Sequence, residues 1–177
     1  MLIDIQNDYF PNGNMELHNS NEACENAASI LNACRENDML IIHVQHVSLG
    51  EQASFFIPNT VGVDIHPSVF PKMNEKLIQK NSPNSFLSTD LEEHLKENNI
   101  NELIIGGMMS HMCIDATVRA AKDKGYKVTL IHDACATRAL SFGRHTVSAD
   151  DVHNTIMAAL NNLYATLYST REFLDAL

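Results

Sequence analysis

Basic residues are scarce in this sequence. Twelve Lys and Arg stand against 22 Asp and Glu, for a formal net charge of −10. A nucleic-acid binder needs a basic face to neutralise phosphates, so that class is set aside. No unbroken apolar run approaches the ~20 residues that carry a helix across a bilayer, so no membrane partner is expected. Met1 opens directly onto Leu2-Ile3-Asp4-Ile5, without a basic leader or a cleavage-type site. The expected location is therefore cytoplasmic. No Cys-x-x-Cys pair occurs among Cys24, Cys34, Cys113 and Cys135. In a chain of this length without a secretory signal they read as reduced thiols, not a disulfide framework. Low-complexity tracts and internal repeats are also lacking. What remains is 177 residues at 45% apolar content, enough for one domain, 1–177, around one sizeable core.

Within that domain, strand-type and helix-type patterns alternate. Residues 1–5 form an apolar strand candidate, and 6–13 a loop rich in Asn, Asp, Pro and Gly. In 21–37, Cys24, Ala27, Ala28, Leu31 and Cys34 recur at helical spacing, which makes both cysteines core residues. Residues 39–45 read as the second strand. A long excursion, 46–76, follows, and loops of that length are usually functional. Its Phe55, Phe56, Ile57, Val69 and Phe70 are candidates for a pocket wall or a subunit contact. Residues 75–80 read as extended and 81–86 as a turn. A helix over 90–98 is expected, with Thr89 and Glu92 as a capping box. Strands at 102–105, 126–132 and 164–168 complete the set. Helices follow residue 113, span 152–163, and close the chain with Thr170 as cap, while 144–151 reads as polar loop or helix start. About six strands alternating with helices predict an α/β fold: a three-layer sandwich around a mostly parallel, Rossmann-like six-stranded sheet.

Three residues stand out chemically. Gly106-Gly107-Met108-Met109-Ser110-His111-Met112-Cys113-Ile114-Asp115-Ala116-Thr117 reads as strand end, tight turn, loop and helix start. A lone cysteine is ordinarily a small buried hydrophobe. At a helix N-terminus, however, unpaired N–H groups and the partial positive charge favour a thiolate. Asp4 interrupts an apolar strand near its end, so it is either paired or exposed at the tip. Lys80 lies between Ile78 and a turn, where a surface position is the ordinary reading.

With their flanks, these residues resemble the isochorismatase-like cysteine hydrolases, the superfamily that contains nicotinamidases. Asp4-Ile5-Gln6-Asn7-Asp8-Tyr9-Phe10 is similar to the family's opening Asp motif. Lys80 with Ser85-Phe86 and Thr89-Asp90-Leu91 is similar to its Lys segment. Residues 107–117 resemble its nucleophile loop, with Ser110 where Thr is common, and Asp133-Ala134-Cys135-Ala136-Thr137 resembles the block after the next strand. The resemblance implies Cys113 as nucleophile on an amide carbonyl, Asp4 as general base and then acid, and Lys80 as a support that lowers the thiol pKa. It further implies a non-proline cis peptide at Met108–Met109, with the Met109 and Cys113 N–H groups as oxyanion hole. Phe10, His46 and Phe86 would line the substrate pocket.

The resemblance has limits. In nicotinamidases, Asp and His residues after the second strand hold a metal. Here, in His43-Val44-Gln45-His46, His46 could stand for one ligand but Val44 occupies the acid's place, so no metal and no cofactor is expected. True isochorismatases lack the cysteine, which argues against vinyl-ether hydrolysis. Cys135 reads as packing. The expected partner is a small-molecule amide, and the expected assembly a homodimer or homotetramer. The alternatives are a metal-dependent nicotinamidase and a non-catalytic ligand-binding member of the family.

Overall fold

The structure, a computed structural model, describes residues 1–177. Its centre is a six-stranded sheet in the order β3-β2-β1-β4-β5-β8, every neighbouring pair parallel. The strands are β1 (Leu2–Ile3), β2 (Ile42–His46), β3 (Lys76–Lys80), β4 (Glu102–Met108), β5 (Lys127–Ala136) and β8 (Thr166–Tyr168). The helices are α1 (Ser20–Glu36), α2 (Leu91–Glu97), α3 (Asp115–Asp123), α4 (Ala149–Leu160) and α5 (Thr170–Ala176). No helix is long and apolar enough to cross a membrane.

Side chains alternate across a strand, so β1 feeds two cores. Leu2 joins Ala23, Ala27, Leu31 and Cys34 of α1 and Phe173 of α5 on one face. Ile3 joins Leu91 and Leu95 of α2, Val118 and Ala121 of α3 and Leu160 of α4 on the other. This is the expected three-layer sandwich.

The strand order reverses beside β1: β2 and β3 lie on one side, β4 and β5 on the other. In an open α/β sheet, such a switch point leaves a crevice at the carboxyl ends of the two strands. Asp4 follows β1 there, and residues 109–113 follow β4. The close approach of the two strands depends on Gly107. Its φ is +138°, and a Cβ built on it would lie 2.0 Å from the Ile3 carbonyl oxygen. Asp4 itself is left-handed, at φ 54°, a region uncommon for residues other than Gly, Asn and Asp.

The structure corrects several local expectations. Residues 144–151, read as polar loop or helix start, hold the strand β7 (His145–Val147), which pairs antiparallel with β6 (Leu140–Phe142), before α4 begins at Ala149. β5 runs on to Ala136, so the Asp133–Ala136 block is strand, beside a register shift at Ile105/Gly107 in β4. The capping box at Thr89 is not made. Thr89 Oγ1 donates to Ser85 O instead, at 2.6 Å, and Glu92 pairs with Lys96 and Lys124. The terminal helix is capped by Ser169, in a capping box with Glu172, not by Thr170.

Candidate active site

Four of the predicted side chains reach the crevice, each on a separate element. Asp4 leaves β1, His46 and Lys80 end the adjacent strands β2 and β3, and Cys113 lies in a π-type turn, Ser110–Ile114, that leads into α3. Gln6 ties two of these elements together. It donates to the His46 and Val63 carbonyls at 2.9 and 2.7 Å and accepts the His46 N–H at 2.8 Å. Asp8, also buried, accepts the Phe56 N–H at 2.6 Å and so pins the excursion. The loop composition of 6–13 disguised both anchors.

At the centre stands the Lys80 ammonium, in a residue only 1% exposed and not on the surface as its flanks suggested. It lies 2.7 Å from Asp4 Oδ2, 3.2 Å from Cys113 Sγ and 3.0 Å from His46 Nδ1. An ammonium has three protons to donate, and these are its three acceptors. The His46 nitrogen that receives one is unprotonated. Burial, reinforced by the Lys80 charge, holds this imidazole down at about 4, so it is neutral near pH 7.

Burial governs the other groups too. The Asp4 carboxyl is pushed up by desolvation against the opposing pull of Lys80 and Cys113. Its Oδ2 pairs with Lys80, and the Cys113 thiol is its other hydrogen-bond partner. Burial would drive Lys80 down, but the charge of Asp4 and the hydrogen bonds to Asp4 and Cys113 outweigh it, and the amine is held above its ordinary value. The Cys113 thiol is pushed up, first by burial and then by the charge of Asp4, with Lys80 opposing. This reverses the expectation of a lowered thiol pKa. The helix-start argument assumed an exposed sulfur, whereas Cys113 is 4% exposed and faces a carboxylate. The resting cluster is a thiol beside an Asp–Lys ion pair.

Around it, the Met108–Met109 peptide is cis, and the Met109 N–H donates to no acceptor within the protein. Met109 O accepts from Met112 N and Ile114 N at 3.0 and 3.2 Å, which winds the turn that carries Cys113. Tyr9, Phe55 and Phe56 form an aromatic wall, with ring centroids 4.6 Å apart for Tyr9–Phe56 and 5.0 Å for Phe55–Phe56. Phe56 also faces His46, at 6.0 Å. The Tyr9 phenol is held protonated, first by burial and also by the charge of Asp4.

Two expected pocket residues are taken up elsewhere. Phe10 stacks on His66 at 4.0 Å, and Phe86 stacks on Tyr126 at 5.9 Å. Both are buried by packing on opposite faces of the sheet. Phe70 is 63% exposed. Cys135 is buried, donates to Ile131 O and is pushed up to about 12 by burial, consistent with packing.

Asp4, His46 and Cys113 each offer a ligand atom, all within 4.8 Å of one another. That set does not fit a metal ion. Lys80 Nζ already contacts each of the three residues at 2.7–3.2 Å. A zinc-like ion, with bonds of about 2.0–2.3 Å to the same donors, would have to expel it. His43 is committed as well, to Glu75 Oε2 at 2.9 Å.

A parallel α/β sheet with a cysteine, a carboxylate and a lysine at its switch point defines a class of cysteine-bearing hydrolase folds. The isochorismatase domain profile matches residues 1–172, and the chain belongs to the isochorismatase family of hydrolases. It is 51% identical over 174 residues to the isochorismatase family protein YddQ of Bacillus subtilis (strain 168), covering 98% of this chain and 97% of the relative. The crystal structure of an isochorismatase from Pseudomonas putida KT2440 superposes with a TM-score of 0.90 at 38% identity, covering 96% of this chain and 86% of that one. A streptothricin hydrolase of Streptomyces noursei is 28% identical over 162 residues, 92% of this chain and 61% of the relative.

Proposed function

We propose that this chain hydrolyses a C–N bond (amide, ureido or lactam-like) of a small molecule through a thioester on Cys113. The observation that carries the reading is the placement of one ammonium 2.7 Å from Asp4 and 3.2 Å from Cys113. A non-catalytic remnant has no need to bury a lysine at that cost in desolvation. The name of the streptothricin hydrolase relative adds support, since a hydrolase acting on a lactam-bearing compound falls within the same bond class.

The raised thiol sets the order of events. Sulfur attacks the carbonyl carbon as its proton passes to Asp4, because a free thiolate is disfavoured in the resting site. Lys80 keeps its protons and balances the negative charge throughout. The carbonyl oxygen, now an anion, takes the N–H groups of Met109 and Cys113. When the adduct collapses, the C–N bond breaks and the proton on Asp4 goes to the leaving nitrogen. Water then attacks the thioester and gives its proton to Asp4. The C–S bond breaks, the carboxylic acid leaves, and Asp4 returns the proton to sulfur.

The test is an ammonia- and amine-release screen over nicotinamide, N-carbamoyl compounds, maleamate and streptothricin-type lactams, with Cys113→Ala as blank. Retained turnover in that variant would end the proposal. A nicotinamide activity abolished by chelator and restored by zinc or iron would replace it with a metal-dependent nicotinamidase. We further propose a homodimer or homotetramer, which light scattering on the purified protein would decide.

A further inference from the structure

The turn that carries Cys113 is held from behind as well as from the substrate side. Ser110, three residues before the cysteine, is fully buried. Its hydroxyl lies 2.9 Å from His153 Nδ1 on α4 and 3.3 Å from the Ala136 carbonyl at the end of β5. The neighbouring His111 Nδ1 is 2.5 Å from Thr137 Oγ1. His153 also lines a polar cavity of about 180 Å³ on the far side of the turn, with His18, His132, Asp133 and Asp150. Lys80 thus meets the turn at Cys113, while an imidazole reached through the Ser110 hydroxyl meets it at its first residue.

We propose that His153 is a positioning residue for Cys113, acting through Ser110. The reading rests on Cys113 being the nucleophile. The Ser110 hydroxyl donates its one proton to the Ala136 carbonyl and accepts from His153 Nδ1, which carries the proton in that tautomer. With His153 in place, both its donor and its acceptor capacity are used, and the first residue of the turn is fixed between α4 and β5. Without the imidazole, Ser110 keeps only the longer contact to Ala136. The turn then gains freedom at its root, and Cys113 Sγ leaves the narrow space shared by Asp4 and Lys80. Small displacements of a reacting group are costly, about 10²-fold in rate for an ångström. Packing on α4 alone would not predict an effect confined to the sulfur.

The experiment reads the sulfur directly. Alkylation of Cys113 by iodoacetamide is followed by peptide mass spectrometry across pH 6–11, alongside kcat and KM on whichever amide the screen identifies. In His153→Ala, Cys113 alkylates about tenfold faster, with its midpoint moving down toward the ordinary thiol value of about 8.5. Over the same change kcat falls about tenfold and KM stays within about twofold. His153→Asn, which keeps a polar atom near the Nδ1 position, restores both. Ser110→Ala reproduces the loss, and the double variant is no worse than either single one. A folded His153→Ala with a native alkylation profile overturns the proposal. If that variant does not fold, Ser110→Ala with a native profile overturns it equally. Failure of the hydrolase reading is separable: it leaves no amide turnover in the native chain, whereas the alkylation arm needs no substrate.

Discussion

Strands β2 and β3 carry a buried ionic cluster at each end, and the two clusters use nearly the same residue types. At the amino end, Glu75 meets Arg35 and His43. At the carboxyl end, Asp4 meets Lys80, with His46 on the ammonium. The difference lies in saturation. Glu75 accepts from Arg35 Nε and Nη2 at 2.7 and 2.8 Å, from His43 at 2.9 Å and from the Lys72 N–H at 2.8 Å. Hydrogen bonds from Arg35 above all hold its carboxyl down at about 2. Asp4 has a single cation and the Cys113 thiol as partners, and its carboxyl is pushed up by burial. A saturated acid is fixed in one protonation state and serves as a strut. An unsaturated acid beside a thiol retains the capacity to accept a proton, and chemistry needs that capacity.

The comparison breaks most visibly at the sulfur. Cys113→Ala should lower turnover by about 10⁴-fold or more, with a native circular dichroism spectrum and melting profile. Next comes Lys80→Ala, with an expected loss of about 10³-fold, since one charge-stabilising donor is removed from a dry site. This variant also opens the three-donor set to a metal. Zinc should raise its melting temperature and leave that of the native chain unchanged; an equal response in both would show that the ammonium does not exclude a cation.

Glu75→Gln should have the opposite profile. Activity stays within a few-fold, while urea unfolding shows a loss of about 3 kcal/mol, because one partner of a buried ion pair is removed. The sign follows from the direction of the shift. Glu75 titrates at about 2 in the fold against 4.5 for a free side chain. Its stabilisation is therefore present above pH 4.5 and lost as pH falls from 4.5 toward 2. In Glu75→Gln that part of the acid-unfolding slope should flatten; an unchanged slope would mean that another carboxylate carries it. The smallest effect is expected at Phe86→Leu. A packing change away from the cluster should cost about 1 kcal/mol of stability and leave KM alone, and a raised KM would return Phe86 to the pocket.

The sheet and the central triad were legible because their signals are local. The apolar runs of β2, β4 and β5 and the helical spacing of Cys24, Ala27, Leu31 and Cys34 need no partner to be seen. Asp4, Lys80 and Cys113 were legible only through the blocks around them, since spacing cannot join residues 76 and 33 positions apart. Properties that depend on enclosure could not be read. The direction of the thiol shift turns on burial and on a carboxylate from another strand. His153 had no mark because its partner, Ser110, lies 43 residues earlier. The 140–147 hairpin is missed for a different reason: its residues are exposed and carry little apolar alternation, with Phe142 91% exposed. Thr89 and Ser169 show that a capping pattern alone does not choose its site, since both have an acid three residues on and only Ser169 uses it.

Gly107 has no functional group and touches no reacting atom, yet it governs how near the first and fourth strands can come. Any side chain there would push against the backbone of Ile3 and carry the neighbouring Asp4 away from the sulfur. In a saturation mutagenesis screen scored on turnover, this position would be as intolerant as Cys113, and a reader of the scores alone would mistake a spacer for a reactant.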